Sequence, residues 1–396
     1  MDPCMELVWD ERPIGMSFWP QDVDAPAVAP RREDIRIRTA DGALVRGVLW
    51  TPPTGEAWKT AVVLSHPRGD FSHHYACPLL AAAGYAVFGF ATRYLNNDAD
   101  CLHENCVLDV VAAVEEMRSR GADQVILFGN SGGGSLMALA QAETKCGDAW
   151  IGCAAHPGEG VFMEQVIDPS VVDEADALSV NADLDMYDPK NGWRPWPEPC
   201  RYDPAWVARY RQAQRSRIER IDSRAREALA IGKQGRADAR GASVGSDDWR
   251  DGRRRGLYTP YMVTYRTLAN PAYLDLSLEP DDRPMGSLFA FPDPFESNYS
   301  SFGLGRVMTP RGWLSTWSSI SSPARLADTM PRVSCPTLIL HPTADTEIRL
   351  SQARAIRDAA GAADTTYIEL EGAPHYLEGH RVAAMEQVAA WIAERF

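Results

Sequence analysis

Ser131, Asp345 and His375 are the three side chains of this 396-residue chain whose types and order suit nucleophilic acyl chemistry. A serine hydroxyl is a weak nucleophile near neutral pH. It needs a base within reach, and the base needs a carboxylate to hold its tautomer. Ser131 lies in Gly129-Asn130-Ser131-Gly132-Gly133, directly after the apolar run QVILFGN and before the helix-forming stretch GSLMALAQA. At such a strand-to-helix turn the glycines let the chain reverse tightly, so the serine oxygen projects beyond the strand's carboxyl end. The following helix aims its N-terminus at charge developing there. Asp345 follows the run CPTLILHP, within HPTADTEI, and His375 follows TTYIEL, within EGAPH. Alone, Asp345 would pass for a turn residue and His375 for a helix cap, but both stand at the ends of successive strands. Asp70, Asp98 and Glu159 are the competing acids. His66, His73, His74, His156 and His380 read as structural or surface residues, and His341 as the close of its strand.

Those three positions make sense only if strands present them along one edge. The segment DIRIRTADGALVRGVLW alternates apolar and polar residues around Asp41-Gly42, a hairpin signal. TAVVLSH, YAVFGF, QVILFGN and WIGCAAH are short apolar runs suited to strands buried on both faces. Helical spacing joins Val107, Val110, Val111, Val114 and Met117, with Gly121 as the stop. Strand alternating with helix predicts an α/β fold with a parallel, helix-flanked sheet.

The alternation stops between residues 161 and 330. There the sequence turns proline- and aromatic-rich, with one helix announced by Asp203-Pro204 and an apolar row of Val207, Tyr210, Ile218, Ile221, Ala225 and Leu229, interrupted at Gln214. Residues 232–256, charged and glycine-rich, read as an exposed, mobile loop with a solvated face. Alternation resumes after 330. The expected organisation is therefore 1–160 and 331–396 as two parts of one core, with 161–330 a cap. The cap holds Trp193, Trp196, Trp206, Trp249, Phe289, Phe291, Phe295, Tyr299, Phe302, Trp313 and Trp317. Most should form the cap's own core, and some should face an apolar pocket.

Composition narrows the remaining classes. Fifty-four acidic against forty basic residues give a net charge of -14, which repels phosphate backbones and anionic lipid and argues against nucleic-acid or membrane partners. No run approaches a membrane-spanning length, and the first thirty residues lack the basic and apolar regions of a signal peptide. A cytoplasmic location is the expectation, with the eight cysteines reduced. Cys101, His103 and Cys106 have no second ligand pair at finger-like spacing, so no metal is expected, and no cofactor either.

The segments GNSGG, CPTLILHPTADTEI and EGAPH resemble those of the α/β-hydrolase family, over residues 34–160 and 330–396. GNSGG is also similar to the GDSGG of chymotrypsin-like proteases, but those are all-β and place histidine before serine. The resemblance implies an eight-stranded, mostly parallel sheet with a cap inserted after the sixth strand. It implies Ser131 as nucleophile, His375 as base, Asp345 as orienting acid, and an oxyanion hole built from the N–H of Gly132 and one from the loop SHPRGD. His66-Pro67 stands there where the family commonly has His-Gly, and proline has no N–H. Arg68 is then the expected second donor, with Gly69 the alternative. The function implied is hydrolysis of a carboxylic ester or lactone, and the aromatics of the cap point to a medium-sized, partly apolar or aromatic small molecule as its substrate. Amide or carbon-carbon hydrolysis by the same residues, and a non-catalytic ligand receptor on the same fold, are the alternatives. A second copy of the chain is the one macromolecular partner left open.

Overall fold

A computed structural model describes residues 25–55, 57–287 and 291–396; Cys4, Phe289 and the signal-peptide reading of the N-terminus fall outside them. Eight strands form the main sheet: β1 (Arg31–Arg38), β2 (Leu44–Thr51), β3 (Thr60–Leu64), β4 (Ala86–Ala91), β5 (Gln124–Asn130), β6 (Ala149–Cys153), β7 (Thr337–Pro342) and β8 (Thr365–Leu370). Their spatial order is β1-β2-β4-β3-β5-β6-β7-β8. The β1–β2 hairpin is antiparallel and turns at Gly42, whose φ of 88° suits glycine. β2 pairs antiparallel with β4, and every later pairing is parallel.

The apolar runs are buried because helices cover both faces. Along β3, Val63 packs toward Val110, Val114 and Met117 of the helix His103–Ser119, while its neighbour Val62 packs on the other face with Leu80, Val388 and Ile392. This two-residue alternation splits the core into two layers around the sheet. The helix Gly132–Thr144 follows β5 directly, and the final helix Arg381–Ala393 closes the opposite face.

Between β6 and β7 the chain adds no strand to the main sheet. The helix Pro204–Gly241 starts where Asp203 accepts hydrogen bonds from the amides of Ala205 and Trp206. Tyr210, Ile218, Ile221 and Ala225 are buried on its inner face, whereas Leu229 is exposed. Gln214 does not break the stripe. It is buried in it, its amide donating to the carbonyls of Gln165 and Ile167 at 2.9 Å each. The expected mobile loop over 232–256 is instead two packed helices, the end of Pro204–Gly241 and the helix Asp247–Gly256. Glycine is the reason: a Cβ at Gly235 would stand 2.4 Å from the amide nitrogen of Gly256, and one at Gly252 2.6 Å from that of Ala239. The two backbones thus approach too closely for side chains, and Arg255 joins them through Asp238 while pairing with Asp251 of its own helix. Among the described residues no helix is long and apolar enough to cross a membrane.

Candidate active site

Ser131 occupies the turn between β5 and the helix Gly132–Thr144 with φ 56° and ψ -129°, a conformation that side chains rarely adopt. The surrounding chain holds it there. Its N–H donates to the carbonyl of Cys153, and its carbonyl accepts from the amides of Gly134 and His156 at 3.0 Å each. The turn is also sterically sealed: a Cβ on Gly129 would stand 2.4 Å from the carbonyl oxygen of Gly133, and one on Gly132 2.5 Å from a Glu159 oxygen. Asn130 is buried, donating to the carbonyl of Cys153 at 2.9 Å.

The ends of β7 and β8 bring the other two residues to this turn. His375 Nε2 lies 3.0 Å from Ser131 Oγ, and its Nδ1 lies 2.7 Å from Asp345 Oδ2. The second Asp345 oxygen accepts the amides of Glu347 and Ile348. All three side chains are buried, Ser131 being 8% exposed. Burial alone would raise the Asp345 carboxyl. The adjacent His375 outweighs it and, with the Ile348 amide, holds the group at about 2. On His375 burial opposes charge, but the Asp345 carboxylate prevails and the ring titrates above its ordinary value. An ionised Asp345 requires N–H at His375 Nδ1, which leaves Nε2 free to accept the serine proton.

Of the competing acids, Asp98 is exposed and the other two are engaged elsewhere. Glu159 faces Arg68, whose guanidinium donates to both its oxygens at 3.0 and 3.3 Å, and Asp70 accepts the Ser72 amide. Burial would raise Glu159, yet the charge of Arg68 and the hydrogen bonds from its guanidinium bring it to about 2. Arg68 also lies over the Trp317 ring, 4.5 Å from its centre. Removing Arg68 leaves a buried carboxylate without its main cation. Arg68→Ala is therefore expected to lower stability by about 3 to 5 kcal/mol, seen as a fall in the urea midpoint. An unchanged midpoint would mean the pair contributes nothing to the fold.

The loop after β3 differs from expectation. The turn after Pro67 folds two successive amides back over the His66 ring: Arg68 N–H donates to His66 Nδ1 at 3.2 Å and Gly69 N–H at 3.0 Å. The N–H assigned to an oxyanion is thus directed at an imidazole, as is its alternative. Gly132, whose N–H opens the first turn of its helix, remains beside Ser131. Burial lowers His66 to about 3, so it sits beside Glu159 as a neutral ring.

Sequence reasoning missed His156. Its Nε2 lies 3.1 Å from Ser131 Oγ, on a loop directly after β6, and its ring packs 4.7 Å from Phe162. Burial, then the neighbouring His375, lowers it to about 3. A histidine three residues past the end of β6 was the available signal, since the other site residues also stand just past strand ends. Among the insertion aromatics, Trp206, Trp313 and Trp317 are buried within the insertion's own clusters, and Trp317 also reaches Arg68. No group of three or more metal-ligating side chains occurs among the described residues.

Strand order, the Ser131 turn and the helices on both faces together define the α/β-hydrolase fold. Solved structures share it at low identity. One is the hypothetical protein PA2218 from Pseudomonas aeruginosa, at 14% identity and TM-score 0.54, covering 97% of this chain and 99% of that one. Another is DcsB, solved in complex with its substrate analogue, at 11% identity and TM-score 0.54, covering 92% and 100%. The α/β hydrolase GrgF from Penicillium sp. sh18 matches at 12% identity and TM-score 0.52, covering 92% and 98%. No protein-family model and no curated protein matches the chain.

Proposed function

We propose that the protein is a serine hydrolase acting on a carboxylic ester or lactone of a medium-sized, partly apolar or aromatic small molecule through an acyl-enzyme. The observation that carries this reading is the continuous hydrogen-bonded line from Ser131 Oγ through His375 to Asp345. In this mechanism His375 Nε2 takes the serine proton as Oγ attacks the acyl carbon, and returns it to the leaving alcohol. Water then repeats the cycle on the acyl-enzyme. The Gly132 N–H supplies one oxyanion donor. A second one from the loop after β3 requires Arg68 or Gly69 to exchange its bond to His66 for one to the substrate oxygen. Aromatic neighbours favour the substrate class: Phe162 packs on His156, and Tyr376 meets the His375 ring edge-on at 4.7 Å.

The experiment combines a fluorophosphonate probe with a panel of p-nitrophenyl esters, aryl esters, lactones and amides. The expected result is stoichiometric labelling at Ser131 and turnover of esters above amides. A folded protein that the probe does not label would point to a ligand receptor, and preference for amides would reassign the reaction.

A further inference from the structure

Ser131 Oγ is contacted by two imidazoles, and the mechanism above uses one. His375 Nε2 stands 3.0 Å from the oxygen and His156 Nε2 3.1 Å from it. The single serine proton goes to His375, because Asp345 holds the proton of that ring on Nδ1. Oγ then has only lone pairs left for His156. A bare His156 Nε2 would set lone pair against lone pair, so this nitrogen carries the ring's proton. The His156 Nδ1 is then unprotonated, and it is buried with no hydrogen-bond partner among the described residues. A backbone bond also ties the two residues, since the His156 amide donates to the Ser131 carbonyl.

We infer, building on the proposed serine mechanism, that His156 is a further catalytic residue whose Nε2–H stabilises Ser131 Oγ as the leaving group when the acyl-enzyme breaks down. In that step water attacks the acyl carbon and passes a proton to His375. The carbon–Oγ bond then breaks, its electron pair goes to Oγ, and His375 returns a proton to that oxygen. His156 keeps its own proton throughout and donates a hydrogen bond to Oγ as negative charge builds there. During acylation the same oxygen is the attacking atom and loses charge to the new bond. The donor therefore assists deacylation more than acylation.

That asymmetry is measurable with p-nitrophenyl acetate. His156→Phe should lower kcat by about a hundred-fold, the scale of losing one preorganised donor, and produce a burst of p-nitrophenol near one equivalent as acyl-enzyme accumulates. Its kcat/KM, which reports acylation, should stay within about ten-fold of native. Glutamine can place an N–H near the Nε2 position, whereas asparagine reaches only the Nδ1 position. His156→Gln should accordingly retain kcat within about ten-fold, and His156→Asn should not. This second pair decides the matter if the phenylalanine variant does not fold. Native kcat in the variants, or equal losses in kcat and kcat/KM without a burst, would overturn the inference. Ser131→Ala, assayed beside them with fluorophosphonate, separates the two readings: labelling of that variant at the native rate sinks the serine mechanism itself, whereas loss of labelling leaves the result on His156 to be read alone.

Discussion

Ser131→Ala is expected to lower kcat by about a million-fold while leaving the protein folded, and His375→Ala to match it. Both follow from the single line of bonds in which Oγ, Nε2 and the Asp345 carboxylate share one proton path. Once the nucleophile is gone the base has nothing to activate, and without the base the hydroxyl stays protonated. The effects should therefore not add: the double variant should be no slower than either single one. Folding is checked by near-UV circular dichroism, and residual rates are read against a fluorophosphonate-inactivated sample to exclude contaminating native enzyme. If His375→Ala kept turnover within ten-fold of native, His156 would be the base and the roles of the two histidines would be exchanged.

Asp345→Asn should cost about ten-thousand-fold, since an amide can present its N–H₂ to Nδ1 and leave the proton on the wrong nitrogen of His375. A second signature is the pH profile. Asp345 is held at about 2, so it is ionised across the working range and raises His375 above its ordinary value. In the native protein kcat/KM should rise with pH through that raised pKa, because only the neutral ring accepts a proton. Removing the carboxylate charge should move this acid limb to lower pH. Stability follows the same linkage with separate signs. The His375 contribution is complete below its unfolded pKa and is lost as pH rises through the folded one. The Asp345 contribution is present above its unfolded pKa and is lost as pH falls toward 2. An acid limb that stays in place in Asp345→Asn would assign the limb to another group.

The three residues on this line were readable because each stands just past an apolar run, and such runs identify themselves by composition alone. Parallel strands then gather their carboxyl ends along one edge, which is a matter of topology rather than of side-chain detail. His156 stands in the same kind of place, past β6, but one histidine between alanine and proline carries no local sign of where its ring points. The direction of the Arg68 amide is not legible in the sequence for a related reason. Pro67 removes one N–H, as the sequence says, but whether the next two turn toward substrate or toward His66 depends on the fold of the loop. In residues 232–256 low apolar content suggests exposure, whereas the chain forms two packed helices. The spacing of Gly232 with Gly235, and of Gly252 with Gly256, was the better guide, because helices can touch through glycines without burying apolar side chains.

Gly132 touches more than the nucleophile turn. The space that a side chain there would fill is occupied by a Glu159 oxygen and by His66 Nε2. Glu159 opens the helix Glu159–Val166, through which the chain leaves β6 for the long insertion. The wall behind the serine is thus furnished by the helix that leads from the core into the insertion, and Arg68 of the β3 loop fastens that helix through Glu159. An insertion transplanted from a related framework would have to bring a carboxylate at this register, or meet an arginine that expects one. The seam for exchanging such modules therefore lies beyond the first turn of the helix, after Phe162, rather than at the end of β6.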